Sequence, residues 1–323
     1  MDPAIHLGEH PIAEGYRLFA EREARHISAL YTDWAEQVAS DGPVLDLLAQ
    51  VPRGKRQPNL VFAAARWHGA GEDYDSFRTV MLQHWPQVRQ TILARATQTN
   101  EAARCATLVP FLAELPQPLA LLEVGAAAGL CLLPDHYSYR YDDGTHLDPP
   151  AGTSPVVIQT HLDPQVPAPA MPQVAWRAGI DLNPIDAADE DACAWLDTLV
   201  WPGQEERRAR LRAALGIARR ERPRIVAGDL VEVLPDLAAQ APSDATLVVF
   251  HTAVLAYLDP PSRERFIATV QDLPGHWISN EGQAVLPGIW EPVHDDGLFL
   301  LAVDGVPRAL TNPHGKAVHT LRR

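Results

Sequence analysis

The sequence predicts an α/β protein, in which a doubly wound parallel sheet follows an all-helical amino-terminal module. Apolar residues recur at helical spacing through most of the first 115 residues. After residue 118, short apolar runs alternate with amphipathic stretches, as they do in βαβ units. The run LALLEV at 119–124 opens directly into a loop of Gly and Ala, which is typical of a parallel strand that leads into a ligand-binding turn.

The amino-terminal module is predicted from helical periodicity that breaks at turn residues. Apolar residues at helical spacing occupy 11–50, 60–71 and 74–115. The segment Pro116-Gln117-Pro118 ends this pattern before the first strand. We therefore expect a helical cap module at 1–116 and a sheet domain at 117–323.

The sheet domain is predicted from five apolar runs and the helices between them. A hairpin is expected around Asp304-Gly305, and 316–321 is expected to add a last antiparallel strand. The five predicted strands lie at 119–124, 174–181, 224–227, 246–251 and 275–280, with helices near 186–200, 203–219, 231–240 and 261–272.

An insertion at 135–172 separates the first two strands of the sheet. Tyr137, Tyr139 and Tyr141 alternate there before an Asp-Gly turn, which predicts an inserted β-hairpin with an aromatic face. Either the hairpin packs its tyrosines onto the domain or it forms a flap over a ligand. The sequence leaves both interpretations open.

Composition excludes several classes of function. The 323 residues include 41 acids and 27 bases, so the net charge is −14 and we expect no nucleic-acid partner. Three cysteines without a CxxC pair are typical of a reducing compartment. The start lacks the pattern of a signal peptide and no apolar run is long enough to span a membrane, so we expect a cytoplasmic protein. The thirteen histidines are scattered without an HExxH motif, which predicts no metal site.

The Gly/Ala loop has the spacing Glu123-x-Gly125-x-x-x-Gly129. Gly125 allows a positive φ and lets a ligand approach the backbone closely. A dinucleotide fingerprint would have glycines at 125, 127 and 130, where this chain has Ala127 and Leu130 at the second and third positions. The spacing therefore favours another kind of nucleoside over NAD.

Acidic residues follow the next two predicted strands. Asp181 ends the second strand in GIDLNP, and Asp229 follows the third in AGDL. A carboxylate at the end of a strand beside a glycine loop can accept hydrogen bonds from ribose hydroxyls. The same position also favours a helix N-cap, so each aspartate has a structural alternative.

These motifs resemble those of the class I S-adenosylmethionine-dependent methyltransferases, which have a Rossmann-like sheet. A narrower resemblance, carried by GKRQPNLVFAAARW, TQTNEAARCA, GIDLNPID and VVFHTAVLAYL, is to the bacterial domain of unknown function 2332. The resemblance implies S-adenosylmethionine as the cofactor, with S-adenosylhomocysteine as its product. It implies that the methionine part meets the glycine loop, the acid of the second strand meets the ribose, and the acid of the third strand meets the adenine. The cofactor-binding residues implied are Glu123, Gly125, Ala127, Gly129, Asp181, Asp229 and Leu230.

Catalytic candidates lie at the ends of the fourth and fifth predicted strands. In the fold implied by the resemblance, the end of the fourth strand faces the transferred methyl, and His251 lies there. A histidine suits a general base for a hydroxyl or amine acceptor, and Glu281 is a second candidate for base or substrate anchor. A buried structural histidine is the alternative for His251, and Tyr257 is expected to pack within the domain.

Substrate candidates lie in the helical module. Arg56 and Asn59 belong to one polar loop, while Asn100 and Arg104 are four residues apart and are expected on one face of a helix. A solvated helix face and a capped loop are the structural alternative. If the module reads the substrate, the arginines suit a polar or acidic small molecule.

Three functions remain open from the sequence. The first is an S-adenosylmethionine-dependent methyltransferase that acts on a small polar or acidic molecule. The alternative is a non-catalytic sensor or scaffold that binds S-adenosylmethionine or another nucleoside. A nucleotide- or NAD-dependent enzyme is disfavoured by the missing glycines.

Overall fold

A computed structural model of the chain describes residues 12–286 and 297–321. The start of the chain, where the sequence shows no signal peptide, lies outside the described residues. The chain forms two compact units. The helical unit comprises Met1–Thr99 and Asp191–Ala209, and the sheet unit comprises Asn100–Glu190 and Arg210–Arg323. In the described part of the chain, the helices are too short or too polar to cross a bilayer.

The described helices fall largely where periodicity places them. They are α1 Ala13–Phe19, α2 Ala29–Val38, α3 Gly42–Ala49, α4 Pro58–Trp67, α5 Tyr74–Gln83, α6 Trp85–Ala94, α7 Cys105–Leu112, α8 Glu190–Leu199, α9 Glu205–Glu221, α10 Leu230–Ala238 and α11 Pro260–Gln271. The described strands are β1 Leu119–Val124, β2 Ser138–Tyr141, β3 His146–Leu147, β4 Val157–Leu162, β5 Val174–Asp181, β6 Arg224–Ala227, β7 Thr246–Thr252, β8 His276–Gly282, β9 Phe299–Val303, β10 Val306–Thr311 and β11 Ala317–His319.

The helical unit is held by side-chain caps and an aromatic core. Ser28, Asp41 and Asp73 each accept a hydrogen bond from a backbone N–H in the first turn of α2, α3 and α5, which satisfies a donor that the helix itself leaves unpaired. The fully buried Phe62 of α4 lies at the centre of a ring cluster. Its edge-to-face and tilted neighbours are Tyr16, Phe19, Tyr31, Trp34 and Phe77.

The sheet unit contains one mixed sheet, in the order β3-β2-β4-β11-β10-β9-β8-β7-β1-β5-β6. The strands β6, β5, β1, β7 and β8 pair in parallel, and β9 continues the sheet antiparallel to β8. All six residues of the central strand β1 are buried, as expected for a parallel strand covered on both faces. The fold is therefore the predicted α/β class with a Rossmann-like parallel core.

The sequence located the parallel core closely and missed one strand. The strands β1, β5 and β6 have the predicted bounds, and β11 pairs antiparallel with β10 as expected. The strand β4 was not predicted; it pairs in parallel with both β2 and β11. The helical pattern predicted over 74–115 is interrupted, because residues 95–101 leave helical geometry between α6 and α7.

The inserted hairpin is confirmed as β2 and β3, which pair antiparallel. Its three tyrosines are buried and each hydroxyl donates to a backbone carbonyl. Tyr137 donates to Leu130 O at 2.7 Å and Tyr139 to Pro134 O at 2.6 Å. Tyr141 donates to Ala106 O at 3.0 Å. These contacts match the packing interpretation of the hairpin, because the aromatic face is occupied by the domain itself.

Candidate functional site

The Gly/Ala loop after β1 turns through three residues with positive φ. Gly125 has φ +72°, and a Cβ built there would lie 2.4 Å from Val254 Cγ2. Gly129 has φ +68°, and Ala127 has φ +48°. Ala127 thus adopts the left-handed conformation that glycine favours, so the departure from a third glycine leaves the course of the loop unchanged.

Every backbone N–H of the loop from 125 to 129 is paired within the sheet unit. Two are held by one carbonyl of the neighbouring strand, two by side chains and one by the loop itself. Gly125 N and Ala126 N donate to Ile180 O at 2.8 and 3.0 Å, Ala127 N to Asp181 Oδ2 at 2.8 Å, Ala128 N to Asn100 Oδ1 at 2.9 Å, and Gly129 N to Ala126 O at 2.6 Å. A phosphate cradle needs such donors to point at the ligand, so this loop is not built as one.

Asp181 lies at the carboxyl end of β5 and connects three neighbouring segments. Its Oδ2 accepts from Ala127 N, and its Oδ1 accepts from Asn183 N at 2.8 Å. Its backbone carbonyl accepts from Gly228 N at 3.0 Å, next to the end of β6. The following side chain, Leu182, is 67% exposed. A partly buried carboxylate and an exposed apolar side chain thus lie together beside the glycine loop.

Asp229 lies at the amino end of α10, directly after β6. Its Oδ1 accepts from Val231 N at 2.8 Å, so the structural alternative of an N-cap is present. The side chain is nonetheless exposed, and a carboxylate has further acceptor positions. Leu230 is buried beneath it in the core of the sheet unit.

Glu123 is a buried acid at the end of β1, only 4% exposed. Among the described residues, Oε2 has no N–H or O–H partner, although the Cys131 thiol interacts with the carboxyl group. Burial raises the pKa of Glu123 well above its usual value, with the Cys131 thiol adding to the rise and the charge of Arg104 opposing it. Asn100 Nδ2 is likewise buried and finds no acceptor among the residues that the structure describes, although Asn100 Oδ1 accepts from the loop. Glu123 Oε2 and Asn100 Nδ2 are therefore two buried polar atoms beside the loop that a ligand could satisfy, the first with a donor and the second with an acceptor.

Arg104 is buried, 6% exposed, and fixes the turn after β7. Its Nε donates to Pro313 O at 2.8 Å, and its Nη1 donates to Thr252 O at 2.9 Å and Thr252 Oγ1 at 3.2 Å. The expectation that Asn100 and Arg104 share a helix face is wrong, because Asn100 precedes a short 3₁₀ turn, Ala102–Arg104. Both residues belong to the sheet unit, where one contacts the glycine loop and the other the β7 turn.

His251 and Glu281 are brought together, but away from solvent. His251 Nδ1 lies 2.7 Å from Glu281 Oε1, and Trp277 Nε1 donates to His251 Nε2 at 3.0 Å. Because an indole N–H only donates, Nε2 is the acceptor and Nδ1 carries the proton given to Glu281. The histidine has 0% exposure. Both ring nitrogens of His251 are hydrogen-bonded within the protein, so in this geometry the ring cannot take a proton from a methyl acceptor.

Glu281 also shapes the turn that follows β7. Its Oε1 accepts from Val254 N at 2.8 Å and from Leu255 N at 3.1 Å. Its Oε2 is buried and has no hydrogen-bond partner in the described part of the chain. Val254 in turn is the side chain that Gly125 makes room for. The His251–Glu281 pair therefore positions the backbone that packs against the glycine loop.

The other two substrate candidates, Arg56 and Asn59, lie in the helical unit. Arg56 donates through Nε to Val51 O at 2.8 Å and through Nη2 to Ala49 O at 3.0 Å, so it closes the carboxyl end of α3. Asn59 Oδ1 accepts from Leu60 N at 3.0 Å. Both residues therefore have local structural roles, and their role in substrate binding stays a prediction.

Two contributors to the site could not be read from the sequence. Trp277 and Thr252 carry no motif, and their roles depend on the pairing of β7 with β8 and on the course of 100–104. Tyr257 was expected to pack inside, which is wrong: it is 86% exposed on the turn after β7. An exposed tyrosine at the carboxyl end of the sheet is a candidate substrate contact.

A cavity of about 470 Å³ borders the outer side of the loop. It reaches the loop through Ala128 and is also lined by the exposed residues Arg219 and Arg222. Asp181 and Asp229 do not line it. Its walls are Ala128, Pro184, Ile185, Asp186, Ala187, Ala188, Ala218, Arg219, Arg222, Pro223 and Ile225.

The sheet order, the glycine loop and the strand-end acids define a Rossmann-like α/β protein. The family model for uncharacterised proteins conserved in bacteria, DUF2332, matches residues 13–319, and the chain belongs to this family. The chain is also similar to the solved structure of the glycopeptide N-methyltransferase MtfA with S-adenosyl-L-methionine, at 15% identity over 71% of this chain and 72% of that chain, with a TM-score of 0.26. The complex of MtfA with S-adenosyl-L-homocysteine matches at 14% identity, the same coverage and a TM-score of 0.26. No curated protein matches the chain.

Proposed function

We propose that the carboxyl edge of β1, β5 and β6 binds S-adenosylmethionine and that the protein transfers its methyl group to a small polar or acidic molecule. The observation that carries the proposal is the pairing of all five N–H groups of the glycine loop. No backbone donor of the loop remains for a pyrophosphate, and two of the side chains beside the loop, Glu123 and Asp181, are acids. Such a site favours a phosphate-free, cationic nucleoside over NAD or ATP.

The residues present fit such a cofactor. Glu123 Oε2 suits an ammonium group, whose positive charge would lower the raised pKa of Glu123 and hold the side chain as a carboxylate. Asn100 Nδ2 is a donor that suits a carboxylate. Asp181 has acceptor capacity for ribose hydroxyls, and Asp229 with Leu182 offers a polar and an apolar contact for a base.

The chain's contribution to methyl transfer is positioning. When bound, S-adenosylmethionine supplies an electrophilic methyl group. Methyl transfer is a displacement that depends on alignment, and the Asp181, Asn100 and Glu281 hydrogen bonds hold the two turns that face each other there. His251 acts through Glu281 as a positioning residue. Tyr257, exposed on the second turn, is placed to contact the acceptor.

A non-catalytic sensor is the second candidate function, and one observation favours it. His251 has no free ring nitrogen and Glu281 is 1% exposed, so the described part of the site offers no solvent-accessible base at the end of β7. A methyltransferase with this site would need a methyl acceptor that is already deprotonated at neutral pH. A sensor that only binds the nucleoside needs no base.

The proposal is tested by calorimetric titration of the chain with S-adenosylmethionine, S-adenosylhomocysteine, NAD and ATP. We expect both sulfur nucleosides to bind and neither phosphate-bearing nucleotide to do so. Failure of both sulfur nucleosides at roughly millimolar concentration contradicts the proposal, since this corresponds to less than about 4 kcal/mol of binding free energy.

Turnover distinguishes the enzyme from the sensor. Transfer of radiolabelled methyl from S-adenosylmethionine to a library of small carboxylates and amines is expected for the enzyme. Tyr257→Phe and Tyr257→Ala then test the acceptor contact, because the first keeps the ring and the second removes it. Binding of the cofactor without transfer to any member of the library supports the sensor.

A further inference from the structure

Three side chains with the donors of a metal centre converge where β4 and β11 end. The residues are His161, Asp163 and His319, and one ligand atom of each lies within 4.8 Å of the others. His161 Nε2 lies 2.9 Å from Asp163 Oδ1, and His319 Nδ1 lies 3.4 Å from the same oxygen. Donors around a tetrahedral zinc ion lie about 3.3 Å apart, because each is about 2.0–2.1 Å from the metal.

Strand register explains how residues so far apart in sequence meet. The parallel pairing of β4 with β11 sets His161 opposite Ala317 and Leu162 opposite Val318, which leaves Asp163 level with His319. Residues two apart on a strand share a face, so all three side chains lie on one face of the sheet. The sequence predicts no metal site because this set forms only through strand pairing.

A histidine that binds a metal through one ring nitrogen usually donates a hydrogen bond from the other, and the residue after strand β2 supplies the acceptor for His161. Asp142, which follows β2, accepts a hydrogen bond from His161 Nδ1, and Leu162 N fixes the other oxygen of Asp142 at 3.0 Å. A proton held on Nδ1 leaves the lone pair of Nε2 for a metal. Asp163 is oriented in the same way, since Thr320 N donates to its Oδ2 at 3.0 Å.

We propose that His161, Asp163 and His319 bind a divalent transition-metal ion of the zinc type that ties β11 to β4. Two imidazole nitrogens and one carboxylate oxygen suit zinc and similar borderline ions, whereas calcium and magnesium prefer an all-oxygen set. The ligands are partly exposed, with side-chain exposures of 46%, 25% and 25%, so an ion can enter and a water molecule can complete the coordination.

The position of this centre gives it a structural role. The strands β8, β9, β10 and β11 alternate in direction, and β4 runs parallel to β11. β4 and β11 therefore end at the edge of the sheet where β1, β5 and β7 begin. The glycine loop and Asp181 lie at the other edge, so the metal stabilises the last strand and takes no part in the proposed methyl transfer.

The test uses the untagged full-length chain, stripped with a chelator and dialysed against metal-free buffer. Titration with zinc chloride is expected to show one tight site per chain and to raise the melting temperature. His319→Gln removes a ligand, and Asp142→Asn keeps all three ligands but loses the outer carboxylate. Both are expected to weaken zinc binding by about tenfold to a hundredfold, and His319→Gln by the larger factor.

His276→Gln is the matched control, because His276 Nδ1 also contacts an aspartate, Asp304 Oδ2 at 2.7 Å, but no third ligand joins them among residues 12–286 and 297–321. It is expected to bind zinc as the wild-type chain does. Asp142→Asn remains informative if His319→Gln is misfolded by circular dichroism. Absence of tight zinc binding by the wild type overturns the proposal, as does equal affinity of wild type, Asp142→Asn and His319→Gln.

Discussion

The Asp181 carboxylate accepts a hydrogen bond from Ala127 N at 2.8 Å, so a side chain at the end of β5 fixes the loop that follows β1. The Asp181 carboxylate thus holds the backbone of the glycine loop and still has acceptor positions for a ligand. The helix N-cap alternative for Asp181 is wrong, because the next helix, α8, begins only at Glu190 and the carboxylate accepts from Ala127 N and Asn183 N. The same contact explains why Ala127 can hold a positive φ, because the hydrogen bond stabilises the strained turn.

Asp181→Asn is expected to lower the free energy of unfolding by about 1–3 kcal/mol. The amide has one acceptor oxygen in place of two, so either Ala127 N or Asn183 N is left facing an NH₂ donor. Urea unfolding measures the change. Asp186→Asn is the matched control, since Asp186 is an exposed acid in the same segment whose carboxylate accepts from Ala188 N and does not contact the glycine loop through Ala127 N. An equal loss in both variants contradicts this account of the loop.

Gly125→Ala and Ala127→Gly should shift stability in opposite directions. Gly125→Ala places a Cβ 2.4 Å from Val254 Cγ2 at a positive φ, so we expect a loss of about 1–3 kcal/mol. Ala127→Gly relieves a left-handed alanine and is expected to be neutral or stabilising by up to about 1 kcal/mol. Thermal unfolding of the two variants measures both effects. A strong destabilisation by Ala127→Gly would show that the loop does not adopt this conformation.

Glu123→Gln should raise stability by an amount that grows with pH. Burial raises the pKa of Glu123 well above 4.5. Between that ordinary value and the raised one, the folded chain holds a proton that the unfolded chain has lost, so the wild-type free energy of unfolding falls as pH rises. The slope is at most about 1.4 kcal/mol per pH unit. The glutamine variant lacks this slope, and the gain should vanish below about pH 4.5.

The same Glu123→Gln change should weaken binding of S-adenosylhomocysteine. An ammonium group gains less from a neutral amide than from a carboxylate, so stability and affinity move in opposite directions. Urea unfolding at several pH values and calorimetry at pH 8 check the two parts. If the variant is more stable but binds S-adenosylhomocysteine with unchanged affinity, Glu123 does not contact the cofactor. The gain in stability would then still confirm that burial raises the pKa of Glu123.

His251→Ala should destabilise the protein far more than His276→Ala. Both histidines lie 2.7 Å from a carboxylate, but the His251–Glu281 pair is buried and the His276–Asp304 pair is partly exposed. His251→Ala leaves a cavity in the core, removes one of three donors to Glu281 Oε1 and leaves Trp277 Nε1 without its acceptor, which together cost about 3–5 kcal/mol. Loss of an exposed pair costs about 1 kcal/mol or less. Urea unfolding of both variants measures the difference, and equal effects contradict the assigned burial.

The parallel core was predictable because β1, β5 and β6 are short apolar runs that end in turn residues. The strand β4 was missed since its alternation of buried and exposed residues lies in a Pro-rich insertion, and its partners β2 and β11 are set by tertiary pairing. Sequence position placed His251 at the end of a strand correctly. Its burial could not be predicted, because Trp277 and Glu281 reach it from β8.

The acids of the site were predictable as residues but not in all their contacts. Asp181 and Asp229 follow their strands as expected, since the carboxyl ends of parallel strands share one edge. The contact of Asn100 with Ala128 N depends on the irregular chain before α7, where periodicity suggested a helix. The local sequence pattern therefore indicated which residues are candidates for the site, and the tertiary fold determines which atoms each of them contacts.

Calorimetric titration with S-adenosylhomocysteine of the wild-type chain, Asp181→Asn and Asp186→Asn tests the central claim most directly. The carboxylate at 181 both holds the loop and faces the ribose in the proposed site, whereas Asp186 caps Ala188 N. We expect wild type and Asp186→Asn to bind alike and Asp181→Asn to bind at least about tenfold more weakly, a difference of about 1.4 kcal/mol. Absence of binding by the wild type, or equal affinity of all three chains, contradicts the claim.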